Sequence, residues 1–475
     1  MIDRTIVPPL RGRFVASGAP CLLALALAAC DGGSSGEAVE SEPERAKVVI
    51  DSQRRFQTLE GFGASLGWFS DRVADSTDPD LDRILFADLG LDILRLRNRY
   101  DRSRPFDADL SADVAAVERA TASLGRAPRL LMTSWSPPAA LKANRLEDCR
   151  GNEDCTLARE NGAFVYDRFA VYWRDSLAHY ATLGIVPEWI SIQNEPSFIP
   201  PSWEGCRFDP SESAEYPGYD RALAAVRARV AELDAPPKLL GPETLGIHWN
   251  AVQSYLSRMD TSLVDGVAHH LYEQGGDGVW DWKSPGPDSY VDEMRAVAGA
   301  TDKPLFQTEF KTDEDNVVEG GFETAWLIQS SLIEEGVTAF LYWDLVWSSG
   351  SGLVMMDGSP YTVRDQYHSL RHFSRYTDPG DVRIGASSNV RSVRASAFLA
   401  PDGDRLTLVL LNAGDEQEEV TIDLGGLALG SSQIVRSVYR PGDSELWSEL
   451  GPLPETDVIS LPSRSVATVV LGAAP

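Results

Sequence analysis

Two glutamates stand at the ends of short apolar runs, where carboxyl groups can do acid–base and nucleophilic chemistry. Residues 189–193 form a β-rich run that is followed by Asn-Glu-Pro, which contains Glu195. A short apolar run closed by proline indicates a buried strand, so Glu195 would stand at its C-terminal end. Residues 303–310 have the same form and carry Glu309 near their far end. Two carboxyl groups that meet across a sugar are the minimum equipment for cleaving a glycosidic bond.

Eight candidate strands alternate with eight helical patterns and would position these glutamates. The strands are predicted at residues 61–65, 93–97, 129–134, 189–193, 238–241, 266–270, 305–308 and 339–343. The helices are predicted at 79–89, 109–124, 165–183, 219–233, 250–259, 289–298, 321–335 and 363–375. This alternation predicts an α/β fold with one closed (β/α)₈ TIM barrel, whose strands end at a common rim. Glu195 and Glu309 would share that rim, on the fourth and seventh strands.

The pattern changes after Pro379-Gly380, where short strands follow one another with Gly, Pro and Asn turns and no helical signal. The strands are predicted at residues 393–398, 405–412, 418–424, 434–439 and 465–471, and an isolated strand at 47–56 precedes the barrel. This arrangement predicts a β-sandwich appended to the barrel.

The N-terminus indicates export. Three arginines, Arg4, Arg11 and Arg13, precede an apolar run at residues 21–29 that is too short to span a bilayer. The run ends in Leu-Ala-Ala-Cys, which resembles the bacterial lipobox with Cys30 as the acylated residue; an ordinary secretory signal with a chance cysteine is the alternative. A Gly/Ser/Glu-rich tether follows. We therefore expect a bacterial lipoprotein at the periplasmic or cell-surface face, held to the membrane only by its lipid.

Composition excludes some partners. The formal charge is -28, with 43 basic and 71 acidic residues, and this argues against nucleic acid, whose binders need a basic surface. We expect no cofactor, no metal and a monomeric chain. In an exported protein Cys149 and Cys155 are the favoured disulfide, and Cys206 with either of them is the rival pairing. A zinc site is disfavoured because no pair of histidines lies near these cysteines with ligand spacing.

The motifs together resemble a known family. Asn194-Glu195-Pro196 and Glu309 look like the clan A retaining glycosidases. Three further motifs resemble glycoside hydrolase family 30: Gly61-Phe62-Gly63-Ala64-Ser65, Trp135-Ser136-Pro137-Pro138 and His270-Leu271-Tyr272. The resemblance implies a barrel with a side β-sandwich that borrows the N-terminal strand. The expected domains are thus a signal peptide (1–29), a tether (30–45), the joining strand (46–57), the barrel (58–379) and the sandwich (380–475).

This resemblance also implies roles for single residues. Glu195 would be the acid/base and Glu309 the nucleophile of a double displacement with retention, and Asn194 would bind the 2-hydroxyl. Arg97 would orient Glu309 and keep it ionised. His270 and Tyr272 would contact the nucleophile or the sugar, although the adjacent His269 could be the inward histidine instead.

Three tryptophans are candidates for sugar contacts, because pyranose C–H faces pack well on flat rings. Trp135 and Trp343 lie at predicted strand ends and Trp347 follows shortly after. Packing in the core is the alternative, since large aromatic side chains are mostly buried.

The substrate is narrowed only to a class. A polysaccharide or oligosaccharide is expected, with an endo-acting β-1,4-xylanase as the first interpretation. A β-1,6-glucanase and a glucosylceramidase-type β-glucosidase are alternatives within the family, and an exo-acting clan A glycosidase of another family is a third. A non-catalytic glycan-binding surface lipoprotein is the interpretation from a different class; it predicts the loss of a carboxylate, and both are present. No arginine aligns with the one that reads glucuronic acid in some members.

Overall fold

A computed structural model describes residues 45–103, 108–272, 289–312, 317–357, 360–430, 432–440, 444–454 and 456–472 of the 475-residue chain. Eight parallel strands close into a barrel, each paired with the next and the last with the first. The barrel strands, counted in chain order, are Gly61–Ser65, Ile93–Arg97, Arg129–Thr133, Trp189–Ser191, Lys238–Thr244, Gly266–His270, Leu305–Glu309 and Ala339–Tyr342. The predicted barrel is confirmed, and all eight strands lie where the sequence placed them.

Helices cover the outside of this barrel. The α-helices are Ser70–Ala74, Ala108–Leu124, Tyr166–Thr182, Tyr219–Val230, Ala251–Leu256, Ser289–Ala298, Val317–Ser330 and Asp365–Ser374. Two π-helical segments, Arg83–Asp88 and Ser331–Glu335, lie in predicted helical regions. Short 3₁₀ turns occur at Ala139–Leu141, His248–Asn250 and Thr261–Leu263. The apolar faces of these helices pack on the barrel in one large core.

Side chains of one parity fill the inside of the barrel. A separate core cluster contains Ile93, Leu131, Trp189, Leu240, Ala268, Phe306, Ala339 and Leu341. Successive strand residues face opposite ways, so the residues two and four positions beyond these also point inward, nearer the C-terminal rim. Where the apolar layer ends, polar side chains of the same parity begin, and this rim carries the site.

The C-terminal region forms one nine-stranded sheet that folds over a common core. In sheet order its strands are Glu445–Gly451, Ser432–Val438, Ser465–Gly472, Arg405–Asn412, Val393–Leu399, Val382–Ser388, Ala46–Thr58, Glu418–Asp423 and Val458–Leu461. Residues from both ends of this order, such as Ile434 and Ile459, share one apolar cluster, which makes the domain a sandwich. Sequence reasoning missed the strands Val382–Ser388, Glu445–Gly451 and Val458–Leu461, whose apolar alternation is weak.

The N-terminal strand Ala46–Thr58 belongs to this sheet. It pairs antiparallel with Val382–Ser388 and parallel with Glu418–Asp423, and its residues Ala46, Val48 and Ile50 are buried. The chain then enters the first barrel strand. This strand therefore fastens the sandwich to the barrel, together with buried contacts of the last helix, in which His372 hydrogen-bonds Thr468 and Ser437.

The other short strands lie in loops at the barrel ends. They are Arg159–Glu160 paired with Ala163–Phe164, and Val346–Trp347, Val354–Met355 and Thr362–Val363 in a three-stranded sheet. Among the described residues no helix combines the length and the apolar character that crossing a bilayer needs. The predicted signal peptide, Cys30 and most of the tether lie outside the described residues.

Candidate active site

Three acidic residues at strand ends adopt a left-handed backbone. The φ angle is 46° at Glu195, 61° at Glu243 and 33° at Asp344. Glu195 follows the fourth barrel strand, Glu243 lies near the end of the fifth and Asp344 follows the eighth. All three are buried. A non-glycine residue in this region costs of order 1–3 kcal/mol and persists where the surroundings hold it, most often at functional sites. The backbone N–H of Glu195 donates to the carbonyl of Glu243 at 3.0 Å, which links two of these ends.

Irregular strand register turns two of the glutamates toward the barrel axis. The pairing of the sixth and seventh strands shifts between Gln307 and Glu309, and that of the fifth and sixth shifts between Pro242 and Thr244. A β-bulge re-aims the side chain that follows it. Without the shift, Glu309 would have the parity of Gln307, which faces away from the axis. The two irregularities therefore bring Glu309 and Glu243 into one cluster.

Strand parity separates the two adjacent histidines. Ala268 belongs to the apolar layer inside the barrel, so His270 points inward at the rim and His269 points outward. His270 Nδ1 lies 3.1 Å from Glu195 Oε1, whereas His269 Nε2 contacts Glu335 outside the barrel. Of the two alternatives that the sequence leaves open, the structure selects His270.

Arg95 joins the fourth, fifth and seventh strand ends. Its Nη1 lies 2.6 Å from Glu309 Oε2 and its Nη2 lies 3.1 Å from Glu243 Oε1. The same Nη2 donates to Asn194 Oδ1 at 2.7 Å. Arg95 is fully buried, and its guanidinium fork has a fixed geometry that suits several acceptors at once. One arginine thus fixes the relative positions of Glu309, Glu243 and Asn194.

The role predicted for Arg97 was wrong by two residues. Arg97 has the same parity as Arg95 but lies closer to the solvent, where it pairs with Glu204 at 2.7 Å and covers the Trp68 ring at 4.9 Å. The alternation of residues along a strand predicts whether a side chain points into the barrel, but not how far it lies below the rim. The sequence therefore could not distinguish between the two arginines.

The carboxyl groups of Glu195 and Glu309, the two predicted catalytic residues, lie close together. One oxygen of Glu195, one oxygen of Glu309 and one ring nitrogen of His270 all lie within 4.8 Å of one another. Glu195 and Glu309 are 8% and 5% exposed, so each retains only a narrow opening to solvent. Retaining glycosidases place their carboxyls ~5–5.5 Å apart, while inverting enzymes leave ~6.5–9.5 Å for a water molecule. The observed spacing suits direct attack by one carboxylate.

The pKa values of Glu195, Glu243 and His270 are shifted in different directions by their surroundings. Burial raises the pKa of Glu195, and the nearby Glu309 raises it further, against the opposing hydrogen bond from His270. Burial alone would raise the pKa of Glu243, but Arg95 and His270 lower it to about 2. Burial alone would lower the pKa of His270, but Glu309, Glu195 and Glu243 raise it to about 9. The cluster therefore holds Glu195 as the proton carrier beside an anionic Glu243 and a cationic His270.

The charges of the predicted catalytic glutamates also raise the pKa values of two neighbouring groups, Asp344 and Tyr272. Burial and then the charge of Glu309 raise the pKa of Asp344 well above its usual value, which favours the neutral form of this carboxyl. Burial, Glu309 and Glu195 likewise raise the pKa of Tyr272, whose ring meets that of His270 edge-on at 6.0 Å. We call Arg95, Glu195, Glu243, His270 and Glu309 the charged cluster.

The triad of Glu195, His270 and Glu309 has the spacing of a metal site, but its chemistry does not suit one. A metal ligand must offer a free lone pair, and protonation removes it from an imidazole. With a pKa of about 9, His270 carries its proton at neutral pH. Arg95 already provides a cation for Glu309. The donor set therefore favours acid–base chemistry over metal binding.

Four tryptophans form one aromatic wall beside the charged cluster. Trp68, Trp135, Trp343 and Trp347, the tryptophan cluster, make five ring contacts with centroids 5.1 to 6.2 Å apart. Trp135 lies against Arg95 at 4.4 Å and is 3% exposed, whereas Trp343 and Trp347 are partly exposed. The three predicted tryptophans are thus brought together, and Trp68 is added to them.

Sequence reasoning missed Arg95, Glu243, Asp344 and Trp68. A usable signal existed for Glu243, because Gly-Pro-Glu-Thr closes the fifth strand much as Asn-Glu-Pro follows the fourth. Asp344 directly follows Trp343, which was singled out for its own sake. No pattern marks Trp68, which lies in the loop after the first strand.

The predicted disulfide between Cys149 and Cys155 is confirmed, and Cys206 is a buried free thiol. This loop lies beside the segment that carries Glu204, since the Cys149 N–H donates to the carbonyl of Trp203 at 2.9 Å. Buried Lys142 joins the two segments by donating to the carbonyls of Glu147 and Gly205. The bridge therefore braces the partner of Arg97 at the rim.

Comparison with known proteins finds similarity to glycoside hydrolases over most of the chain. Residues 380–469 match the family described as "Glycosyl hydrolase family 30 beta sandwich domain". The chain is 22% identical over 444 residues to "Glucuronoxylanase XynC" of Bacillus subtilis, covering 90% of this chain and 91% of that one. It is 22% identical over 418 residues to "Putative glucosylceramidase 2" of Caenorhabditis elegans, covering 76% of each.

A solved structure shares the fold. The catalytic domain of a family 30 xylanase C from Talaromyces cellulolyticus superimposes with a TM-score of 0.70 at 20% identity. The match covers 90% of this chain and 100% of that chain. The likeness therefore extends over both the barrel and the sandwich.

Proposed function

We propose that this chain, which belongs to glycoside hydrolase family 30 and is a glycoside hydrolase, cleaves β-linked glycans by double displacement with retention of configuration. The observation that carries the proposal is the meeting of Glu195 and Glu309 within 4.8 Å at one rim of the barrel. This close approach suits the ~5–5.5 Å of retaining enzymes better than the ~6.5–9.5 Å of inverting ones.

In the first step Glu309 attacks the anomeric carbon while Glu195 protonates the leaving oxygen. Arg95 Nη1 holds one oxygen of Glu309 and aims the carboxylate. Burial raises the pKa of Glu195 and so favours the protonated form that a general acid needs at the start of the cycle. A covalent glycosyl-enzyme forms, and the aglycone leaves with the proton of Glu195.

In the second step Glu195, now ionised, takes a proton from water, and the water oxygen attacks the anomeric carbon. Glu309 departs as a carboxylate and Glu195 regains its proton. His270 hydrogen-bonds Glu195 at 3.1 Å and stabilises its ionised form between the two steps. Asn194, whose Oδ1 accepts from Arg95, has its amide NH₂ group left for a substrate hydroxyl such as the 2-hydroxyl.

The substrate that we propose is xylan, cleaved as an endo-β-1,4-xylanase. Similarity to a glucuronoxylanase over 90% of the chain supports this choice. A glucosylceramidase-type β-glucosidase is the second candidate, supported by the similarity to a glucosylceramidase-like protein. β-1,6-Glucan remains the third substrate to compare.

The test has two parts. The purified enzyme is assayed on xylan, glucuronoxylan, β-1,6-glucan and β-glucosylceramide, and the first product of the cleaved substrate is followed by ¹H NMR. We expect xylan to be cleaved and the β-anomer to appear first. Initial release of the α-anomer would contradict retention, and cleavage of glucosylceramide alone would replace xylan.

We further propose that Cys30 carries a diacylglyceryl group that anchors the monomeric enzyme at the periplasmic or cell-surface face. The sequence before Cys30 supports this. Mass spectrometry of the N-terminal peptide from membrane fractions should find the lipid. A soluble, secreted chain without it would overturn the anchor.

A further inference from the structure

An opening lies beside the segments that follow Glu195 and His270. It has a volume of about 390 Å³ and is lined by Ser197, Phe198, Gly246, His248, Trp249 and Tyr272, with Leu245 and Ala251. We call it the open groove. Its volume falls in the lower part of the range of small-molecule sites, about 300–1,000 Å³.

The open groove lies where a leaving group must go. Ser197 and Phe198 follow Glu195 closely, and the Phe198 N–H donates to the Glu195 carbonyl at 2.9 Å. Tyr272 comes two residues after His270, the hydrogen-bond partner of Glu195. A general acid delivers its proton to the departing oxygen, so the group attached to that oxygen extends past Glu195.

The tryptophan cluster occupies the other side of the site. Trp135 covers Arg95, and the Trp343 N–H donates to the carbonyl of Phe310, the neighbour of Glu309. This wall therefore stands on the side of the nucleophile, where the attacked sugar sits. The open groove and the tryptophan cluster therefore suit the two halves of one glycosidic bond.

Trp249 is held in an exposed position at the edge of the open groove. Its side chain is 68% exposed, the largest exposure among the large apolar residues that the structure describes. Its φ is 54°, and that of Asn250 is 57°. Two adjacent non-glycine residues in this region cost of order 1–3 kcal/mol each, which is typical of segments that clamp a ligand. An exposed indole beside a catalytic cleft offers a flat face for a sugar ring.

We propose that the open groove is the leaving-group subsite and that it binds a sugar ring stacked on Trp249, an inference that rests on the proposed glycosidase function. The lining supports a sugar over a lipid alcohol. It combines two polar residues, Ser197 and His248, with the aromatic residues Phe198, Trp249 and Tyr272. A pyranose presents apolar faces and polar edges, so it suits a site with aromatic side chains and a few polar groups.

The experiment compares two leaving groups on one glycon. Xylotetraose leaves a sugar, and β-xylobiosyl fluoride leaves a single fluoride ion that cannot fill the groove. We expect Trp249→Ala to lower the ratio of kcat/KM on xylotetraose to kcat/KM on the fluoride about tenfold, which corresponds to about 1.4 kcal/mol. Trp249→Phe should recover most of the ratio, because a flat ring remains.

The control variant is Phe56→Ala, which removes an exposed aromatic ring from the sandwich strand Ala46–Thr58. It should leave the ratio unchanged. An unchanged ratio in Trp249→Ala would overturn the subsite. A larger loss on octyl β-xyloside than on xylotetraose would assign the groove to a lipid alcohol.

The glycon itself is tested by the wild-type enzyme. The same comparison is run in parallel with gentiotriose and β-glucosyl fluoride, and the pair that the wild type hydrolyses is the one used for the variants. If the wild type hydrolyses neither pair, the proposed glycosidase function fails, and the groove proposal fails with it.

Discussion

The charged cluster and the tryptophan cluster lie side by side at the same rim, but ion pairs hold the first together and aromatic packing holds the second together. In the charged cluster, a change from Glu to Gln keeps the shape of a side chain and removes its charge. In the tryptophan cluster, the five ring contacts join uncharged side chains, and a substitution changes shape without changing the formal charge. Under the proposed function, the first would set the rate of bond cleavage, and the second would set how firmly a sugar is held. The following variants test this division.

The largest effect is expected from Glu309→Gln. An amide cannot form the glycosyl ester, so kcat should fall on the order of 10⁴-fold or more. Substrate binding should survive, because the amide has the size of the carboxylate and the tryptophan cluster is untouched. Kinetics and calorimetric titration with an oligosaccharide measure the two quantities. Glu188→Gln, at the opposite end of the fourth strand, is the matched control; turnover near that of the wild type in Glu309→Gln would remove the nucleophile role.

Glu195→Gln should act through the leaving group. Loss of a general acid lowers turnover roughly 10²–10⁴-fold when the leaving alcohol needs a proton. An activated leaving group such as dinitrophenolate departs without one, so the first step on a dinitrophenyl glycoside should be nearly normal. Pre-steady-state release of dinitrophenol measures that step. An equal loss on natural and activated substrates would assign Glu195 to another role.

Glu243→Gln should reduce stability most. This substitution leaves buried Arg95 with one carboxylate less, and breaking a buried ion pair costs about 3–5 kcal/mol. The pKa of Glu243 falls from 4.5 to about 2 on folding, so its contribution is present above pH 4.5 and is lost as pH falls toward 2. Urea unfolding at pH 7 and pH 3 should therefore show a larger difference between variant and wild type at pH 7. An equal difference at both values would contradict the ion pair.

The alkaline limb of the pH profile should belong to Glu195. Burial raises the pKa of Glu195, and the acid must be protonated at the start of the cycle. The value of kcat/KM should then hold to a pH above the usual range of glutamate and fall about tenfold per unit beyond it. In Glu195→Gln, assayed on the activated substrate, this limb should disappear. Its persistence would assign the limb to another group, such as His270.

The smallest effect is expected in the tryptophan cluster. Trp343→Ala removes a partly exposed ring, and a lost contact of about 1.4 kcal/mol raises KM roughly tenfold. The value of kcat should change less, because no charge is altered. Trp343→Phe keeps a ring and should fall between. A drop in kcat as large as that of Glu195→Gln would erase the distinction between the two clusters.

Sequence alone predicted the barrel, the sandwich and the pair of glutamates, because apolar runs and turn residues encode strands directly. It did not predict site residues whose position depends on their depth in the barrel or on the local register of strand pairing. Arg95 and Arg97 share a face, and only the closed barrel shows which one reaches Glu309. The bulges before Glu309 and at Glu243 are tertiary features of strand pairing and leave no periodic signal. Glu243 is followed by no proline motif of the Asn-Glu-Pro kind, and only the strand pairing shows that it joins the ion network.

The central claim is that Glu309 bonds to the sugar while Glu195 handles the proton, and covalent trapping tests it most directly. A 2-deoxy-2-fluoro β-glycoside with a dinitrophenolate leaving group slows the second step and lets the ester accumulate. After peptic digestion, mass spectrometry should find a single fluoroglycosyl label on the peptide that contains Glu309. A label on Glu195 or Glu243, or rapid turnover without any label, would contradict it.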